Sequence, residues 1–256
     1  MSDLIPPTAS RRKRRGTGPI ASAPAPAPQV APRSASAPAA QPAPAEKILS
    51  IGRYEREDFE RVEALIAAMV NRNQQIRAFA EQLARGFFAP ASPQERPLRE
   101  LQAAFYSFMM YGWRDSNGVR IVDLFRNSSP QLTVRQQAAL QACARARMVL
   151  VAIDDVHPGK QRIRGRDLLR DEPLTMRDHN ATKIAREGDR MLCWLIPWGT
   201  AWQPIGVATR VEARKAEALE RAIEAMANGL RAVRRELPER HAADLFWVAY
   251  RVANLD

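Results

Sequence analysis

The sequence predicts an α+β protein in which helices precede and follow a small antiparallel β-sheet or half-open barrel. Apolar residues recur at helical spacing before about residue 148, β-rich segments follow between turn signals, and helical spacing returns after residue 211. Ahead of these lies a segment that holds 10 of the 19 prolines. We therefore predict a disordered tail over 1–47, a helical region over 48–148, a β region over 149–211, and C-terminal helices over 212–256 that pack on the rest.

The tail carries a large share of the positive charge. Residues 1–47 hold seven basic and two acidic residues, and hence +5 of the formal net charge of +11. Alternating alanine and proline offer few large apolar side chains to offset the entropy of ordering. A dense basic block would attract a polyanion or serve as a localisation address, and the alternative is a solubilising leader. The block consists of Arg11, Arg12, Lys13, Arg14 and Arg15.

Three helices are predicted in the helical region. The first covers about residues 55–85 and ends at Gly86, and the second covers about 98–113. Thr133 is placed to be the N-cap of the third, with Gln136 at the capping-box position, and that helix continues to about Met148.

Five short β-rich segments follow. The candidates are 149–153, 161–169, 175–177, 190–196 and 205–211, with 197–204 as a connecting loop. Five short strands between turn signals favour a compact antiparallel sheet or a small half-open barrel. A helix over 212–236 and a last helix after Pro238 complete the chain.

A basic row runs along the second strand candidate. Because side chains alternate between the two faces of a strand, Ile163 would point into the core. The four cations of the row would project from the other face, about 6.6 Å apart, which is close to the repeat of an extended phosphodiester chain. They are Lys160, Arg162, Arg164 and Arg166. The alternative is a solvated edge strand that its charges protect against aggregation.

Two tryptophans flank the hairpin that follows. Trp198 and Trp202 lie near its tip, where exposed rings would stack on bases. The alternative is that they cap the open end of the barrel or pack on the helices, because large aromatic rings more often contribute to cores. Trp194 is expected in the core.

Signals for catalysis and for cofactors are weak. The two cysteines make neither a disulfide framework nor a four-cysteine zinc site, and no glycine-rich phosphate loop or nucleophile motif occurs. No apolar run approaches the roughly 20 residues that span a bilayer, and the N-terminal basic cluster precedes alanine and proline rather than a signal-peptide core. We expect a cytoplasmic protein with no cofactor, no metal and no membrane. The carboxylates and histidines closest in sequence are Asp154, Asp155, His157, Asp178 and His179.

The middle of the chain resembles a known family. Trp113 to Gly118, Ser128 to Arg147, Ile163 to Leu169 and Ala185 to Arg190 follow one another, over about residues 105–207, in an order similar to the region that precedes the metal-binding motif of bacterial SEC-C-motif proteins. The resemblance implies an α+β fold and a bacterial origin. It implies no zinc, since the cysteine-rich motif is absent, and Glu187 stands where the pattern has proline.

Three hypotheses for function follow. The first is a non-catalytic protein that binds DNA or RNA without sequence specificity through the basic tail, the basic row and the two tryptophans. The second is a protein-interaction or adaptor module that uses the Trp198/Trp202 loop or the helix that begins near Glu55. The third is an enzyme of unrecognised type, which would gather Asp154, Asp155, Asp178, His157 or His179 in one pocket. The sequence leaves the oligomeric state open.

Overall fold

The computed structural model describes residues 53–255. The tail over 1–47, with its predicted disorder and its basic block, lies outside the described residues. Helices stand before and after a five-stranded barrel, which confirms the predicted α+β class. None of the helices in the described part combines the length and the apolarity needed to cross a bilayer.

The helices of the helical region are interrupted where the sequence predicted continuous helices. In place of one helix over 55–85 there are two, α1 (Arg56–Arg72) and α2 (Gln74–Phe87). Asn73 separates them because its side chain accepts hydrogen bonds from the backbone N–H groups of Gln75 and Ile76, as an N-cap does. The predicted helix over 98–113 is α3 (Arg99–Ser107) followed by a π-helical turn over Phe108–Gly112.

Two shorter helices complete this region. α4 covers Ile121–Asn127, and α5 covers Val134–Ala144. The predicted capping box is confirmed: Thr133 accepts from the N–H of Gln136, whose side chain accepts from the N–H of Thr133. The helix ends at Ala144 rather than near Met148, because Met148 already belongs to the first strand.

The five strands close into a barrel. They are β1 (Arg147–His157), β2 (Arg162–Asp167), β3 (Glu172–Arg177), β4 (Arg190–Trp198) and β5 (Ala201–Val211). Their order is β1-β2-β3-β5-β4, with β4 returning to β1. The barrel is therefore closed rather than half-open, and it is not wholly antiparallel, since β3 and β5 run parallel where Met176 pairs with Trp202. The predicted loop over 197–204 is instead a tight hairpin between β4 and β5.

The remaining helices lie between two strands of the barrel or after its last strand. α6 (Ala181–Ile184) lies between β3 and β4, and α7 (Ala216–Leu230), α8 (Leu237–Arg240) and α9 (Ala242–Ala253) follow β5. The predicted helix over 212–236 ends earlier, at Leu230, because Arg231 adopts the left-handed conformation and terminates it.

Two buried carboxylates hold the barrel's turns. Asp167 accepts from the N–H groups of Leu150 and Leu169 and pairs with Arg170 at 3.0 Å. Asp189 accepts from the N–H groups of Arg186 and Ala213 and from the guanidinium of Arg210, which lies 2.6 Å away. Both acids therefore stabilise turns of the barrel.

The buried apolar residues form two clusters. One fills the barrel, with Val151, Ile163 and Met191 among its buried members. The other joins the helices to the outside of β1, β4 and β5 through residues such as Leu150, Trp194 and Ile205. Trp194 is buried, as predicted.

Candidate nucleic-acid interface

The helices leave the outer face of β2 and β3 uncovered. The outward side chains of β1, β4 and β5 belong to the cluster shared with the helices, whereas no residue of β2 or β3 is buried in that cluster. Along β2 the burial alternates strictly: Ile163, Gly165 and Asp167 are buried, while Arg164 and Arg166 are exposed. This confirms the predicted alternation for the part of the basic row that lies in β2, where Arg162 is half-buried.

The alternative of a solvated edge strand is wrong. β2 pairs with β1 on one side and with β3 on the other over its whole length. A strand paired on both sides has no free backbone groups, so protection of an edge does not explain its charges.

β3 adds a cation that the sequence reasoning missed. Arg177, the last residue of β3, is exposed and lies directly opposite Arg162 in the β2–β3 ladder. Arg164 lies between the two neighbouring strands, opposite Thr175 of β3 and opposite Asp155 of β1. The signal for Arg177 was present, because alternation around the buried Met176 places Thr175 and Arg177 outward once the register is known.

Most strand arginines in the described part of the chain have carboxylate partners. The pairs are Arg147–Glu172, Arg166–Asp171, Arg190–Glu220 and Arg210–Asp189. Among the described residues, Arg162, Arg164 and Arg177 make no ion pair, and they are neighbours on the uncovered face. We call these three residues the arginine cluster.

The arginine cluster is unfavourable for folding by itself. Like charges directly opposite each other on adjacent strands destabilise a sheet, and Arg162 and Arg177 are such a pair. The Nε atom of Arg162 is also buried and has no hydrogen-bond partner among the described residues. A group of charges that opposes the fold is typical of a functional site.

The remaining members of the predicted row are placed differently. Lys160 does not lie in the strand; it ends a 3₁₀ turn over Pro158–Lys160, and Gln161 then adopts the left-handed conformation. It is exposed and lies in the β1–β2 loop, at the Arg162 end of β2. Arg166 continues the row at the other end of β2, but its guanidinium lies 2.6 Å from the carboxylate of Asp171.

The two tryptophans are already engaged within the protein. Trp198 packs edge-on against Tyr54, with ring centroids 4.7 Å apart, and the hydroxyl of Tyr54 donates to the carbonyl of Pro197. The guanidinium of Arg147 lies 4.2 Å from the ring centre of Trp202. Both tryptophans are half-buried. These contacts favour the alternative in which the two tryptophans pack within the protein, Trp198 against Tyr54 just before α1.

The candidate catalytic residues have local partners. Asp155 pairs with His157 at 2.7 Å, and Asp178 accepts from the N–H of Ala181 at the start of α6. Within residues 53–255, no three His, Cys, Asp or Glu side chains gather as metal ligands would. Burial raises the pKa of the Cys143 and Cys193 thiols, so neither is a thiolate nucleophile near neutral pH.

One family model matches the chain, over residues 96–239, and it describes a family of unknown function (DUF7986). The match covers more than half of the chain, from just before α3 to α8. No curated protein and no solved structure matches. The resemblance to SEC-C-motif proteins stays a prediction.

Proposed function

Since the chain belongs to the DUF7986 family of unknown function, we propose its function from the site itself: it is a non-catalytic protein that binds the phosphate backbone of nucleic acid through the outer face of β2 and β3. The observation that carries this proposal is the arginine cluster, three neighbouring cations that form no ion pair with a described carboxylate, on the barrel face that the helices leave open.

The spacing of the cations supports a polyanionic ligand. Arg162, Arg164 and Arg166 follow one another on one face, so the row extends over about 13 Å, or four strand rises. A phosphodiester chain presents one negative charge per nucleotide and can follow such a row, whereas a small anion would occupy only one end. Phosphate contacts of this kind position a ligand without reading its bases.

The barrel's connectivity supports the same assignment by analogy. The strand order, with β1 shared between β2 and β4 and a parallel β3–β5 pair, is that of the OB fold. Barrels of that fold bind oligonucleotides and oligosaccharides on the face of strands 2 and 3 and with the loops β1–β2 and β4–β5. Here that face carries the arginine cluster, and the β1–β2 loop carries Lys160.

The test is a salt titration of binding to labelled single-stranded and duplex oligonucleotides. The full chain is compared with Arg162→Glu/Arg164→Glu and with Arg77→Glu/Arg135→Glu, which makes the same change in net charge at exposed helical arginines that pair with no carboxylate in residues 53–255. For single strands, loss of two phosphate contacts lowers the slope of log K against log salt by about 1.4. Equal binding by both variants and the wild type would refute the proposal.

The basic tail is tested separately. Replacing Arg11 to Arg15 with glutamine in the full chain removes the charge of the block and leaves the barrel unchanged. If the block also contacts phosphates, the slope falls further, and the effect adds to that of the strand variant where the two sites act independently.

A second candidate is protein interaction, and it uses one of the two surfaces that the sequence suggested, the helical stretch predicted over 55–85, rather than the Trp198/Trp202 loop. An apolar groove of about 390 Å³ lies between α2 and the π-helical turn. At its rim Phe79 is 45% exposed and packs on Trp113, with ring centroids 4.9 Å apart. Phe79→Gln should then change self-association in sedimentation and leave the affinity for nucleic acid unaltered; unchanged sedimentation at every concentration argues against self-association through this groove.

A further inference from the structure

A groove continues the uncovered face beyond the end of β2. Its volume is about 490 Å³, within the size range of small-ligand sites. One wall is the β2–β3 turn and the other is the segment after α7. The lining residues are Leu168, Leu169, Arg170, Asp171, Val233, Arg234 and Arg235.

Asp171 joins the groove to the basic row. It lines the groove, and its carboxylate is the ion-pair partner of Arg166, the last cation of the row. A chain that follows the row from Arg162 to Arg166 therefore arrives directly at the groove.

The groove combines an apolar floor with positive charge. Val233 is 53% exposed, and Leu168, which lines the same groove, is half-buried. Arg170 and Arg234 are paired with Asp167 and Glu224.

Arg235 adds a positive charge that no carboxylate in the described part of the chain neutralises. It is exposed and makes no ion pair with any described residue. An apolar surface beside an unpaired cation suits a nucleotide, whose base packs on the aliphatic side chains while its phosphate meets the guanidinium.

We propose that this groove receives a nucleotide of a single-stranded nucleic acid whose backbone runs along β2 from the Lys160 end towards Arg166. The inference rests on the proposed function and names its ligand class. A duplex keeps its bases stacked inside and offers only phosphates to such a surface, whereas a single strand can turn a base onto Leu168 and Val233.

The experiment compares four- and eight-nucleotide oligothymidylate and oligouridylate with an eight-base-pair duplex. The groove variant is Val233→Asn/Arg235→Glu, and its matched control is Val134→Asn/Arg135→Glu, an adjacent valine and arginine exposed on α5. The row accommodates about three phosphates at 6.6 Å spacing. Only the eight-nucleotide strand is therefore long enough to contact both the row and the groove.

We expect the groove variant to bind the eight-nucleotide strand about fivefold or more weakly than the wild type, the lower end of one lost base contact. Its affinity for the four-nucleotide strand stays unchanged, and the control binds both strands as the wild type does. The DNA and RNA arms tell whether the 2′-hydroxyl contributes.

A second variant strengthens binding. Asp171→Asn removes the negative charge between the row and the groove and frees Arg166, and asparagine tolerates the left-handed backbone of this position, where φ is 58°. Both oligomers should then bind more tightly at low salt.

The outcomes separate the two proposals. If the groove variant keeps the full affinity for the longer strand while Arg162→Glu/Arg164→Glu loses binding, the groove inference is wrong and the proposed function stands. Equal affinity for the duplex and the single strand overturns the assignment of the ligand class. If Arg162→Glu/Arg164→Glu binds as the wild type does, both proposals fail together.

Discussion

Arg177→Gln should make the protein more stable and its binding weaker. Arg177 lies opposite Arg162 on adjacent strands, and neither has a carboxylate partner among the described residues. The folded state therefore holds two positive charges together without compensation, and the unfolded chain separates them. Removing one charge relieves this repulsion in the folded state alone.

The size of the effect follows from Coulomb's law. For two unit charges about 7 Å apart in water, the repulsion is about 0.6 kcal/mol, in line with the roughly 0.2–1 kcal/mol of cross-strand pairs. For a domain of this size, that corresponds to a rise in Tm of about 1–3 °C. The repulsion acts through solvent, so 1 M salt, where the Debye length is about 3 Å, should abolish the gain.

The assay is thermal unfolding at low and at high salt, with binding of a single-stranded oligonucleotide measured on the same samples. Loss of one phosphate contact lowers the salt slope of binding by about 0.7. Arg210→Gln is the contrasting variant: it removes the partner of the buried Asp189, so stability should fall rather than rise. A Tm of Arg177→Gln at or below that of the wild type at low salt would refute the reasoning, as would a gain that persists in 1 M salt.

Three further predictions concern the scaffold. Gly165→Ala should lower the free energy of unfolding by about 1–3 kcal/mol in urea titrations, because a Cβ there would clash with the carbonyl oxygen of Ala152 in β1; an unchanged midpoint contradicts this close approach. Asp189→Ala should cost about 3–5 kcal/mol in the same assay, since it leaves two backbone N–H donors and the Arg210 guanidinium without their buried acceptor; a loss under 1 kcal/mol argues against a structural role. Burial raises the pKa of Glu63, which accepts a hydrogen bond from Tyr111 at 2.7 Å. The folded state thus binds this proton more tightly than the unfolded state, and stability falls as the pH rises from the group's ordinary value, 4.5, through the raised pKa. Glu63→Gln should match the wild type below that range and exceed it near neutral pH, and parallel pH curves for the two proteins would contradict this.

Short-range sequence signals predicted where the helices lie better than where a helix is interrupted. The capping box at Thr133 and Gln136 depends on neighbouring residues alone, and it was read correctly. The break at Asn73 was missed although the apolar series steps from Val70 to Ile76, a spacing that does not keep one helix face. Asparagine stops the helix because its side chain competes for backbone N–H groups.

The closure of the barrel could not be obtained from local patterns. It depends on the parallel pairing of Met176 with Trp202, residues far apart in the sequence. Residues 201–204 also pair with β4, although Pro204 among them argued for a loop. Proline lacks only the N–H group, so it can occupy a strand position where no donor is needed.

The candidate site shows which part of a charge pattern the sequence can predict. Alternation along β2 was enough to place Arg162, Arg164 and Arg166 on one face. Which of them remains available depends on other segments, because Asp171 pairs with Arg166 from the left-handed turn after β2.

The position of Arg177, the cation that the sequence did not predict, also depends on another strand. The register between β2 and β3 places Arg177 opposite Arg162, and no spacing within either strand reveals that register. The net charge of +11 thus bears less on binding than three neighbouring arginines do. On the other strand arginines a carboxylate already pairs with the guanidinium and a phosphate would have to displace it, whereas at the arginine cluster no described carboxylate forms an ion pair that a phosphate would have to break.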